Sequence, residues 1–292
     1  MKIHQKAVKT RRQYNQWVTN QTLEDYALRF TPHRSRRWSI RQVVLTAISA
    51  ITFLALEALG GTLTLTWGFD VVFYAVLIVC PLMFLLSLPI SICAARYGLD
   101  IDLLTRGAGF GYLGSTVTSL IYASFTFIFF AIEAVIMTSA LNLLFDLPMH
   151  YGYLLSTLVV LPIVIWGFTF ISHLQRWTQA IWIVLQLLPF VMILLSGNSS
   201  LGSWTGFKGL EADNEQSKIL AIGAAATVML SLVAQVGEQV DQIRFLPAKD
   251  PRRPLRWWIS VVLAGPGWVL IGGAKIMLGS FLAVLAFNLG LD

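Results

Sequence analysis

Charge is what this sequence has least of. Lys, Arg, Asp and Glu make up 12% of its 292 residues, about half the ~25% of an ordinary soluble domain. Hydrophobic residues reach 56%, and the surface of a soluble globule of this length cannot be built from that balance. Cysteine is almost missing: Cys80 and Cys93 stand thirteen residues apart in one apolar segment, roughly 20 Å along a helix and too far to pair. With no metal-ligand spacing around them, both read as buried small apolar side chains. The sequence shows no zinc motif, no hydrolase elbow and no secretory signal, because the first apolar run begins only at Val43. The chain therefore reads as a non-enzyme without cofactor. Its 22 Gly and 10 Pro are scattered through apolar segments, which excludes collagen, coiled coil and low-complexity disorder.

What is present is a series of long apolar runs, at 43–66, 71–95, 114–144, 151–171, 177–196, 219–240 and 257–288. Each is long enough to cross a ~30 Å hydrocarbon core. The expected fold is an all-α polytopic membrane protein with about seven transmembrane helices. Residues 1–42 form a basic N-terminal segment and 43–292 the transmembrane domain, with a break in the seventh span near Gly265, Pro266 and Gly267.

Positive charge stays on the cytoplasmic side of a membrane protein. Of the 21 basic residues, eighteen fall before the first span or after the second, fourth and sixth. Only Lys208 and Lys218 lie on the other side, beside Glu211, Asp213 and Glu215. This places the N-terminus in the cytoplasm, and the expected location is a bacterial inner membrane. An odd number of spans leaves Asp292 outside, and the chain reads as cut short. Trp38, Trp67, Trp177, Trp257 and Trp258 stand at span ends as interfacial anchors. Arg34, Arg36, Arg37 and Arg41 read as a topology signal beside the lipid bilayer, and nucleic acid is not an expected partner.

An ionised side chain inside a span costs at least ~2.5–3.5 kcal/mol on insertion scales. Glu57, Glu133, Glu238 and Lys275 each carry that cost. Phe53, Glu57, Gly60 and Gly61 share one helical face, as do Tyr122, Thr126, Phe129 and Glu133, and Ser231, Gln235, Glu238, Gln239 and Gln242. Polar stripes that cannot face lipid face one another or a wet cavity, which points to a binding site inside the membrane. The substrate-binding candidates are Phe53, Glu57, Phe129, Glu133, Gln235 and Glu238, and the adjacent Gly60 and Gly61 are the expected helix break. Asp241 and Arg244, at i and i+3, are either a local surface pair or a cytoplasmic gate closing on Arg96, Arg106, Asp100 or Asp102. The GxGxxG string from Gly109 to Gly114 has no preceding strand and reads as a re-entrant loop, not a nucleotide site. A retinal reading of Lys275, with Glu133 as counter-ion, is opposed by the internal N-terminus.

Three stretches carry a resemblance: Asp25-Tyr26-Ala27-Leu28-Arg29-Phe30-Thr31-Pro32 ahead of Trp38-Ser39, the loop from Ala95-Arg96-Tyr97-Gly98 to Gly114-Ser115, and Asp241-Gln242-Ile243-Arg244-Phe245. They resemble the purine-cytosine permeases of the nucleobase-cation symporter family. That resemblance implies a five-plus-five inverted repeat with a small-molecule solute bound among the first, third, sixth and eighth helices, and coupling to Na+ or H+. It puts the family's aromatic and amide pair at Phe129 and Glu133, with glutamate in place of the amide, and its stacking aromatic near Leu232. The opening segment and Leu56-Glu57-Ala58 also resemble permease-like input modules of bacterial sensor histidine kinases, which implies a fused or partner signalling domain as the alternative.

Reporter fusions test the orientation. Residues 1–40 and 245–256 are expected in the cytoplasm and residues 200–216 outside, and an external N-terminus overturns the assignment.

Overall fold

The computed structural model describes residues 30–33, 36, 38–165, 167–196, 201–210 and 217–290. Residues 25–29 of the first motif, Arg34 and Arg37 of the basic cluster, Glu211, Asp213 and Glu215, and Asp292 lie outside them. The described chain folds as helices α1 (Ile40–Ser49), α2 (Ala55–Trp67), α3 (Phe69–Tyr97), α4 (Ile101–Thr105), α5 (Gly111–Phe145), α6 (Met149–Ile165) and α7 (Gly167–Ser196). After these come α8 (Leu201–Thr205), α9 (Lys218–Leu230), α10 (Gln235–Ile243), α11 (Pro254–Ala264) and α12 (Gly267–Asn288). It is an all-helical polytopic membrane protein.

Among the described residues, five helical stretches are long and apolar enough to cross a membrane: Phe69–Tyr97, Ile101–Phe145, Phe170–Ile193, Lys218–Ile243 and Gly267–Asn288. The remaining two expected spans differ for distinct reasons. The fourth is α6, of 17 residues. The first is split into α1 and α2, of 10 and 13 residues, by the non-helical segment at 50–54.

Local chemistry sets the element ends. Ser39 caps α1 by accepting from the Gln42 amide at 3.2 Å, and Asp100 caps α4 through the Leu103 amide at 2.8 Å. Gly98 ends α3 in the left-handed region, at φ 69°, donating its amide to the Ala94 carbonyl. Gly265 precedes Pro266, and the chain leaves helical geometry between α11 and α12 as that pair predicts. The GxGxxG string forms no re-entrant loop among the described residues. Residues 106–110 make a wide turn that runs from α4 into α5, with Gly109 at φ 112°.

The glycine break expected at Gly60 and Gly61 is not there. Both residues lie inside α2 and are buried. A Cβ on Gly60 would run into the Ile276 carbonyl of α12, and one on Gly61 would lie 2.9 Å from the Ala283 Cβ. Gly279 makes the reciprocal approach to the backbone of Glu57. The glycines therefore let two backbones touch, the small-residue packing on which helices in lipid rely. Phe53, placed on the same face by helical spacing, falls instead in the non-helical segment.

Three further expectations change. Cys93 is exposed, while Cys80 is half-buried with its thiol 3.6 Å from the Val269 carbonyl. Trp38 and Trp257 are buried: Trp38 stacks on Phe245 at 4.9 Å, and the Trp257 indole donates to the Pro247 carbonyl at 3.1 Å. Arg36 is also buried, donating to the carbonyls of Thr31, Ala95, Leu246 and Arg96 at 2.9 to 3.4 Å. It ties the segment before α1 to the C-terminal end of α3 and to the chain leaving α10.

Gly60→Ala and Gly279→Ala are each expected to destabilise the protein by about 1–3 kcal/mol, the usual cost of overpacking. Lys218, whose pair with Asp70 at 2.7 Å is more than half exposed, is replaced by alanine as a control. Thermal melts in detergent in which both glycine variants match that control contradict the packing.

Candidate functional site

The interruption of the first span leaves backbone groups without helical partners. The end of α1 tightens, with the Ile51 and Thr52 amides reaching the Ile48 and Ser49 carbonyls and the Thr52 hydroxyl donating to Ser49 at 2.8 Å. The start of α2 has no side-chain cap of its own. Glu133, from α5, supplies one: its Oε1 accepts from the Ala55 amide at 2.7 Å. A carboxylate at a helix N-terminus meets both an orphan donor and the positive end of the helix dipole.

The carbonyl side of the break meets the opposite charge. Lys275 of α12 donates from Nζ to the Phe53 carbonyl at 2.9 Å and pairs with Glu57 Oε1 at 2.9 Å. The same ammonium stands 4.5 Å from the centre of the Trp182 ring of α7, within cation–π range. Glu57 Oε1 also accepts from Gln186 Nε2 at 2.7 Å, whereas its Oε2 is buried with no hydrogen-bond partner among the described residues. The side chains of Lys275 and Glu57 are 3% and 12% exposed.

Aromatic rings line the same region. Phe53 meets Phe129 edge-on at 5.5 Å, and Phe129 lies 4.5 Å from Phe125. Phe53, Glu57, Phe129 and Glu133 are thus brought together around one break. Gln235 and Glu238 form a second group on α10, joined by a hydrogen bond of 2.6 Å. The sixth span narrows through a tight 3-10 turn, Ser231–Ala234, just before them. Leu232 is buried in that turn, and the Tyr122 ring of α5 packs on Gly237. Gln239, with its amide nitrogen turned to two carbonyls, donates to Ala264 at 2.9 Å and to Ala47 at 3.3 Å. It thereby serves the ends of α11 and α1 together.

At the far end of α10, Arg244 donates to the Asp241 main-chain carbonyl at 3.0 Å and approaches Asp100 at 3.9 Å. Asp241 Oδ1 accepts from the Ile101 amide at 3.4 Å. Both residues therefore reach the α3–α4 connection. α4 is tied in turn to α5, through Ser119 on Asp102 at 3.1 Å and Thr118 on Thr105 at 3.2 Å. Among the described residues, no group of three or more His, Cys, Asp or Glu side chains is placed to hold a metal ion.

Sequence reasoning missed Trp182, Gln186 and Arg36. Gln186 had a visible signal, an amide inside an apolar run. Nothing in the spacing separates Arg36 from its basic neighbours.

No family model and no curated protein matches the chain. Among solved structures, the chain is similar to Mhp1, described as a nucleobase-cation-symport-1 family transporter in a closed conformation with bromovinylhydantoin bound. The TM-score is 0.62 at 14% identity, over 92% of this chain and 57% of that one. The chain spans little more than half the length of that transporter, and at this identity the likeness establishes a shared fold.

The charge pair makes a direct prediction. Breaking a buried ion pair from one side typically costs about 3–5 kcal/mol, because the partner is left uncompensated. Lys275→Met should lower stability by that order, and Glu57→Gln with Lys275→Met together should recover much of the loss. Purely additive losses in thermal melts contradict the pairing.

Proposed function

We propose that this chain is a permease-like membrane module that binds a small, polar, nucleobase-like solute at the bilayer midplane for cation-coupled transport. The supporting observation is the interrupted first span. It gathers an aromatic pair, Phe53 and Phe129, and a buried carboxylate oxygen, Glu57 Oε2, that has no donor among the described residues. A flat solute with an N–H group suits both features, stacking on the ring faces and donating to the carboxylate. Gln235 and Glu238 offer further polar contacts from the sixth span, just after its 3-10 turn. The transporter fold of Mhp1, which is described with bromovinylhydantoin bound, favours the same class of solute.

Alternating access needs a contact that can open. Arg244 and Asp241 meet the α3–α4 connection at the end that the positive charges assign to the cytoplasm, and they serve this proposal as the inner gate. The sensing alternative uses the same binding site without net movement. Transport is preferred because the structural neighbour is a transporter.

The test is binding of pyrimidine bases, purine bases and hydantoins to the chain in nanodiscs, read by tryptophan fluorescence, followed by uptake into proteoliposomes. Saturable binding is expected, weakened about tenfold or more by Phe129→Ala or Glu238→Gln, which corresponds to at least ~1.4 kcal/mol. No binding by any of the three classes overturns the reading. Binding without uptake moves it to a sensor.

A further inference from the structure

Transporters with interrupted helices hold their coupling ion on carbonyls freed at the break and at the ends of half-helices. Here that position is taken by the chain itself. Lys275 Nζ contacts the Phe53 carbonyl and Glu57 Oε1, both at 2.9 Å, and faces the Trp182 ring at 4.5 Å. A carbonyl dipole, a carboxylate and an aromatic face are three groups that would attract a small inorganic cation. They converge on an ammonium that is almost entirely shielded from solvent. The other charge at the break, Glu133, accepts from the Ala55 amide of α2.

A sodium ion in this place would need the oxygens that Lys275 already uses, and would stand against a fixed positive charge without water to screen it. From this geometry we propose that Lys275 is a tethered cation standing in for an inorganic coupling ion at the first-span break, so that the arrangement around the break forms without Na+. The consequence for transport rests on the solute-site reading above. The ion itself is tested without any solute.

The experiment compares thermal unfolding of the chain in nanodiscs in sodium chloride and in choline chloride at equal ionic strength. The parent is expected to melt identically in both, and a saturable, Na+-specific rise in its melting temperature overturns the proposal. Lys275→Ala frees the Phe53 carbonyl and the Glu57 carboxylate, and its melting temperature is expected to rise with Na+ and not with choline. Lys275→Arg keeps the charge and is expected to stay indifferent. A Lys275→Ala protein that folds and melts identically in both salts overturns the proposal and leaves Lys275 as a structural ion pair. Lys275→Gln, closer in volume, is run in parallel and read the same way, so the comparison survives poor folding of the alanine variant. Loss of solute binding with these responses intact strikes only the solute reading. A Na+ response in the parent with solute binding intact strikes only this inference.

Discussion

Inside a bilayer a helix can stop only where something other than water binds the amides and carbonyls it leaves behind, since each one left bare costs several kcal/mol. The first span of this chain stops between α1 and α2, and two charged side chains from distant helices meet the resulting ends. Glu133 takes the Ala55 amide and Lys275 takes the Phe53 carbonyl. The carboxylate matches the positive N-terminal end of α2, and the ammonium meets a carbonyl of the non-helical segment between the two half-helices. The residues that look most expensive in the sequence are therefore the ones that permit the break.

The placement of Lys275 depends in turn on how closely α2 and α12 approach. Gly60 touches the backbone of Ile276, the residue after the lysine, and Gly279, one turn further along α12, touches Glu57. With a side chain in either contact the helices would stand further apart, and the ammonium would lose its 2.9 Å contacts. The same economy of partners recurs beside it. The Gln239 amide serves Ala264, where α11 ends before Pro266, and Ala47, near the end of α1. Polar side chains on the sixth and seventh spans thus complete backbone that the first and seventh leave open.

Much of the architecture was legible in the sequence because lipid imposes one simple requirement, an apolar run of sufficient length. The break in the seventh span was legible too, since Gly265 and Pro266 cannot continue a helix in register. The break in the first span was misplaced for an instructive reason. Adjacent glycines can signal either unwinding or close packing, and only the partner helix decides which. The true break, at 50–54, contains neither glycine nor proline and is fixed by contacts to residues 133 and 275. Arg36, Trp38 and Trp257 were hidden similarly: a basic or aromatic residue at a span end looks interfacial until the fold encloses it.

The structure thus carries an all-helical fold, shared with Mhp1, in which the chain's own charges hold the interrupted span, leaving beside it an aromatic pair and a carboxylate oxygen without a partner among the described residues. The most direct test of that account is a solid-state NMR dipolar measurement between the labelled Lys275 side-chain nitrogen and the Phe53 carbonyl carbon, in lipid and without solute. The account predicts a strong coupling, as required by a nitrogen 2.9 Å from the carbonyl oxygen. A coupling too weak for any hydrogen bond, with the protein folded, would contradict it and leave the first-span break to be held by something else.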